Sequence, residues 1–219
     1  MRRLFGGSIA ALGLAILLAA PAAGAEPSDS RFFERGRIAF AYGGSCRESA
    51  DGRRVTCTNT DVSIFKGRRG GTDPERRFRG EQVCVYRSTE TFNRETGRNI
   101  SSTYEEGCAR NRAALDVDFS DGLRWARVDG TIRLQRTRCE QDSCADDTRR
   151  VSIHLAWDAF GPVGDRFLYF RESRGDCEFT YSGTEQYRDA NVTGHIGDKS
   201  VELEGQLMKR DIQETYVCQ

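Results

Sequence analysis

The sequence predicts an all-β protein, an antiparallel β-sandwich or barrel stapled by disulfides, made of two similar β units that stand apart or pack as one domain. Three observations carry this expectation. Apolar and polar residues alternate with period two along most of the chain, as in strands with one face in a core and one in water. Short turn segments separate the runs: "ADGRR" at 50–54, "KGRRGGTDPE" at 66–75, "SDG" at 120–122, "SRGD" at 173–176 and "IGDKS" at 196–200. Their Gly and Asp residues supply the positive φ that tight hairpins demand. Finally, there are eight Cys, an even number, all from Cys46 onward.

Residues 1–25 read as a secretory signal peptide. Arg2 and Arg3 precede an Ile/Leu/Ala core, Pro21 ends it, and Ala23-Gly24-Ala25 places small residues before a cleavage point at Glu26. No later segment approaches the roughly 20 apolar residues that span a bilayer. The remaining chain is therefore expected to be secreted, or to lie in the periplasm or cell envelope, with no membrane span after cleavage.

Residues 26–35 read as a linker, and the first strand opens at Gly36 with Ile38, Phe40 and Tyr42 on one face. Further alternating runs carry Leu115, Val117 and Phe119; Val128, Ile132 and Leu134; Val151, Ile153, Leu155 and Trp157; and Val201, Leu203 and Leu207. A weak internal repeat accompanies them. Arg53-Arg54-Val55-Thr56 resembles Arg149-Arg150-Val151-Ser152, and "VDFSDGLRWARVDGTI" at 117–132 aligns without gaps to "VTGHIGDKSVELEGQL" at 192–207. The expected units are 36–129 and 130–219.

Cysteines in an exported chain pair as disulfides. Cys46 and Cys57 flank a hairpin, Cys84 and Cys108 flank the polar stretch 88–101, and Cys139 and Cys144 close "CEQDSC". Cys177 is left with Cys218. Zinc would need close Cys pairs or Cys with His, and only Cys139 and Cys144 come near that.

Basic and acidic residues balance at 33 each. That disfavours nucleic acid as the main partner, which calls for a surplus of Lys and Arg. One segment is locally basic: "KGRRGGTDPERRFRG" at 66–80 holds Lys66, Arg68, Arg69, Arg76, Arg77 and Arg79. It reads as a mobile loop able to meet an anionic polymer. Glu140, Asp142, Asp146 and Asp147 concentrate oxygens that could suit calcium, although their spacing fits no known loop.

Catalytic signals are sparse. The two histidines, His154 and His195, fall at the polar phase of their strands, where Asp158 or Asp189 could assist one as a base. No Gly-x-Ser-x-Gly elbow accompanies them. Arg174-Gly175-Asp176 reads as a hairpin turn. No catalytic residue or cofactor is expected. The sequence thus points to a secreted, non-catalytic or envelope-associated binding protein whose partner is an extracellular protein or a glycan. The alternative is an extracellular hydrolase acting on a polysaccharide or peptide.

Overall fold

The computed structural model describes residues 29–110, 115–140 and 143–218; the expected signal peptide and Asp142 lie outside them. Ten strands follow in order: β1 Ser30–Glu48, β2 Arg54–Gly71, β3 Phe78–Asn93, β4 Asn99–Ala109, β5 Leu115–Phe119, β6 Trp125–Glu140, β7 Ser143–Ala159, β8 Gly164–Arg174, β9 Cys177–Ile196 and β10 Lys199–Cys218. One 3-10 turn, Pro74–Arg76, joins β2 to β3.

All pairings are antiparallel, and they return on themselves. The path β1-β2-β3-β4-β6-β7-β9-β10 closes where β10 pairs with β1. Closure pairs each of these eight strands on both sides over part of its length, while Ser143–Ser152 of β7 pairs with β6 alone. The other two strands are additions. Along one edge β6 meets β5 at Ala126–Gly130 and β4 at Gln135–Glu140. Along one edge β9 meets β8 at Cys177–Tyr187 and β7 at Ala190–Ile196.

Residues opposed across a ladder share a face, so registers alone trace the interior. Leu207, Ala39, Ile64 and Val83 stand in one row across β10, β1, β2 and β3. They belong to a single apolar cluster that also takes Leu115, Val117, Val128, Ile153, Trp157 and Val192. Residues of both expected units therefore fill one core.

Trp157 explains a reversal on β1. Its indole is fully buried, and Nε1 donates to the Phe40 carbonyl across the interior at 3.0 Å. Only small residues leave room for it. Ala39 and Ala41 face inward, and a Cβ added at Gly205, opposite Ala41, would lie 2.5 Å from Phe40 O and 3.1 Å from Trp157 Cδ1. Ile38, Phe40 and Tyr42 do share one face of β1, but it is the face turned away from this core. Phe40 and Tyr42 stack on the outer face with ring centroids 6.4 Å apart, and Tyr42 is 51% exposed.

Elsewhere the strands outrun the sequence reading. Pairing of β1 begins at Ser30, inside the stretch read as a linker, and β3 and β4 reduce the polar segment 88–101 to a turn at 94–98. Gly52, Gly175 and Gly197 take positive φ in their hairpins. Leu123 does so without being Gly, at φ 51°. The turn is held by Ser120 Oγ, which accepts from the Arg124 and Trp125 amides at 2.7 and 2.9 Å, and it drives the buried Leu123 into the core.

Four disulfides join Cys46 to Cys57, Cys84 to Cys108, Cys139 to Cys144 and Cys177 to Cys218. Each links residues directly opposite in register. They staple β1 to β2, β3 to β4, β6 to β7 and β9 to β10, so alternate neighbours in the circuit are covalently tied.

Candidate anion-binding face

Past the apolar layer, the core-facing side of β10, β1, β2 and β3 becomes basic. Lys209, Arg37, Lys66 and Glu81 form one row in register, and Asp211, Arg35, Arg68 and Arg79 form the next. The local cause is in the sequence: Arg35-Gly36-Arg37 and Lys66-Gly67-Arg68 set cations two residues apart, hence on one face of a strand.

The intervening glycines matter as much. Gly36, Gly67 and Gly80 are side by side across β1, β2 and β3. A Cβ on Gly67 would lie 2.3 Å from Arg35 O and 2.6 Å from Gly36 Cα, so only glycine admits this approach of the strands. Such a glycine line lets a sheet bend. Here β8 and β9 supply the opposing wall of a hollow of about 910 Å³, lined by Arg35, Arg37, Lys66, Lys209, Asp165 and Phe167 among others. A smaller hollow of about 430 Å³ has Phe33, Arg68, Arg77 and Arg79 in its lining.

Two of the cations are anchored by the outer edge of β5. Lys66 Nζ donates to Val117 O at 2.5 Å, and Arg37 Nη1 donates to Phe119 O at 3.2 Å. Their carboxylate partners are Glu81, at 3.1 Å from Lys66, and Asp121, at 2.6 Å from Arg37. Arg35 meets Asp211 at 2.6 Å. The Asp121 side chain is 98% exposed, and exposed pairs of this kind contribute only about 0–1 kcal/mol. An incoming anion can therefore exchange with Asp121 or Asp211 at little cost. Arg68, Arg79 and Lys209 have no carboxylate partner among the described residues, and Arg68 sits 5.7 Å from the Phe33 ring centroid.

The basic segment read as a mobile loop is thus corrected. Lys66, Arg68 and Arg69 lie in β2, Arg76 closes the 3-10 turn, Arg77 follows it, and Arg79 lies in β3. Strand alternation also splits the set. Arg69 faces the other side, where Arg166, Glu185, Arg210, Glu34 and Arg69 form a chain of alternating charge across five strands. Arg69 Nε donates to Glu34 Oε2 at 2.5 Å, and Arg210 Nε donates to Glu185 Oε2 at 2.8 Å. Glu185 also pairs with Arg166. Burial works to lower the Arg210 pKa, but the Glu185 and Glu34 charges outweigh it and hold the guanidinium above its ordinary value. Arg76 lies 4.0 Å from the Phe32 ring centroid and 3.6 Å from Glu214. Burial raises the Glu214 pKa, and Arg76 offsets this in part.

The remaining candidates do not converge on the hollow. His154 and His195 face each other in register across β7 and β9, on the polar outer side. His154 Nδ1 is bonded to Asp129, not to Asp158 or Asp189, and His195 Nε2 lies 3.1 Å from Ser200 Oγ. The row Asp129, His154, His195, Ser200 could move a proton, yet all four residues are solvent-exposed.

Among the calcium candidates, Asp146 accepts from Thr137 Oγ1 at 2.6 Å and Asp147 pairs with Arg136, both within the β6–β7 ladder and not in a loop. Among the described residues no group of three or more His, Cys, Asp or Glu could hold a metal ion. Arg174-Gly175-Asp176 forms the β8–β9 turn. Sequence reading missed Arg35, Arg37 and Lys209; for Arg35 and Arg37 the spacing they share with Lys66 and Arg68 was the available signal, and nothing local marks Lys209. It also missed the buried Arg87–Glu105–Arg149 cluster at the opposite end, where Arg149 Nη2 is 2.7 Å from Glu105 Oε1.

No helix among the described residues is long and apolar enough to cross a membrane. No known protein family, curated protein or solved structure matches the chain.

Proposed function

We propose that this chain is an exported, non-catalytic binding protein that takes an anionic glycan on the basic face of β10, β1, β2 and β3. The observation that carries the reading is the convergence of Arg35, Arg37, Lys66, Arg68, Arg79 and Lys209 on one face, the first three and Lys209 in the larger hollow and Arg68 and Arg79 in the smaller. Three of these cations have no carboxylate partner among the described residues, Arg35 and Arg37 hold exposed, exchangeable ones, and Lys66 meets the largely buried Glu81. A face on which cations outnumber carboxylates attracts an extended polyanion and binds it in a salt-sensitive way. Phe33 and Phe167 add apolar surface beside the charges, suited to sugar rings. The hollow is open rather than enclosed, which suits a polymer better than a small molecule.

The test is titration of the exported protein with dextran sulfate and with neutral dextran, at low and high salt. Binding should be confined to the sulfated polymer and weaken as salt rises. Arg68→Glu combined with Lys209→Glu should abolish it, because both residues are exposed and engaged by no carboxylate. Equal binding of neutral dextran, or binding indifferent to the double reversal, would sink the proposal. So would turnover of either polymer that is lost in His154→Ala or His195→Ala, which would favour a hydrolase built on the Asp129–Ser200 row.

A further inference from the structure

We propose that β8 joins two copies of this chain edge to edge, as a two-fold antiparallel pair centred on Tyr169. Among the described residues β8 pairs only with β9, so its other edge carries no ladder. Ser143–Ser152 of β7 also pairs on one side only, but that stretch exposes no large apolar side chain, and the Val117 and Phe119 carbonyls of β5 are taken by Lys66 and Arg37. Proteins usually blunt a free edge with Pro, a bulge, a short strand or charged side chains. Of these β8 has only charges of both signs: it runs eleven residues from Gly164 to Arg174 in unbroken register with β9 and contains no Pro. Between those charges it displays aromatic surface, with Phe167 72%, Tyr169 60% and Phe170 51% exposed.

The sequence of the strand selects a second copy as its occupant. In an antiparallel pair, alternate residues turn their N–H and C=O toward the partner, so a strand paired with itself can shift register only in steps of two. Centred on Tyr169, all eleven residues are paired. Arg166 then opposes Glu172 twice, Phe167 opposes Arg171 twice, Leu168 opposes Phe170 twice, and Tyr169 opposes itself. Opposite charges, cation–aromatic and apolar contacts in facing positions each favour pairing. Centring on Phe170 would set Arg166 against Arg174, two like charges. Centring on Leu168 would drop Ser173 and Arg174 from the ladder and part Arg166 from Glu172. In the single chain, among the described residues, Glu172 meets Arg174 at 2.7 Å, an exposed pair that is readily exchanged.

The experiment uses the full chain purified after export, studied by sedimentation at micromolar concentration. The wild type should sediment as a dimer. Glu172→Arg should weaken its association by at least about tenfold, since two attractions become two repulsions. Tyr169→Cys should give a disulfide-linked dimer on a non-reducing gel, because the native cysteines are already bridged and residue 169 would face itself. Ser173→Cys, which faces Asp165, should not. A monomeric wild type overturns the proposal, including the case where another segment of the same chain covers the edge. So does a dimer that Glu172→Arg leaves unchanged, or the absence of a Tyr169→Cys cross-link.

Discussion

Removal of single disulfides offers a quantitative test of the stapled circuit. The four bridged loops, 46–57, 84–108, 139–144 and 177–218, neither overlap nor nest. Each therefore restricts its own part of the unfolded chain. Cys177 and Cys218 are separated by 41 residues, which the chain-entropy relation converts to about 4 kcal/mol. Cys139 and Cys144 are separated by five, which gives about 2 kcal/mol. Structure sharpens the contrast. The Cys177–Cys218 bridge holds the open end of the β9–β10 hairpin, far from its turn, whereas Cys139–Cys144 sits beside its own turn. Cys177→Ala with Cys218→Ala should thus be the more destabilised variant, by about 2 kcal/mol relative to Cys139→Ala with Cys144→Ala. Urea unfolding of the non-reduced proteins, with the slope compared as well as the midpoint, measures both. Equal losses, or a larger loss in the Cys139/Cys144 variant, would show that unfolded-chain restriction does not govern these staples.

Two further outcomes follow from single residues. Trp157→Ala should lose about 3–5 kcal/mol in the same urea assay, because its indole fills the narrow space left by Ala39, Ala41 and Gly205 and donates to Phe40 O. Glu214 has a pKa raised by burial, so the folded chain holds its proton more tightly than the unfolded one. Its effect on stability is absent below the ordinary carboxylate range and grows more unfavourable as pH climbs through the raised value. Stability curves at pH 4 and pH 7 should therefore show Glu214→Gln gaining on the wild type as pH rises; a gap that shrinks instead would contradict the assignment.

Much of the fold could be read from local patterning. The alternation of Val128, Ile132 and Leu134 and of Val151, Ile153, Leu155 and Trp157 marks core faces that are buried in the structure. The turn at Gly175 and the one at Gly197 stand where Gly and Asp suggested. Spacing alone also suggested the four cysteine pairs found in register. On β1 the same rule failed, because hydrophobicity favoured the larger Ile38, Phe40 and Tyr42, while volume favoured Ala39 and Ala41 opposite Trp157. Nothing local to β1 says that an indole arrives from β7.

The basic face divides in the same way. Lys66, Arg68 and Arg79 were visible as a cluster because they are close in the chain, but so were Arg69, which strand alternation turns to the other side, and Arg76, which the 3-10 turn brings to Phe32 and Glu214. Arg35, Arg37 and Lys209 come from strands remote in sequence and join the face only through the β10–β1–β2 register. By itself, then, the sequence determined strand character, turns and staples, since each depends on neighbours within a few residues or one hairpin. Tertiary structure decided which small residues face the core, which cations share a surface and which edge stays open, because these depend on what the closing circuit brings opposite each strand.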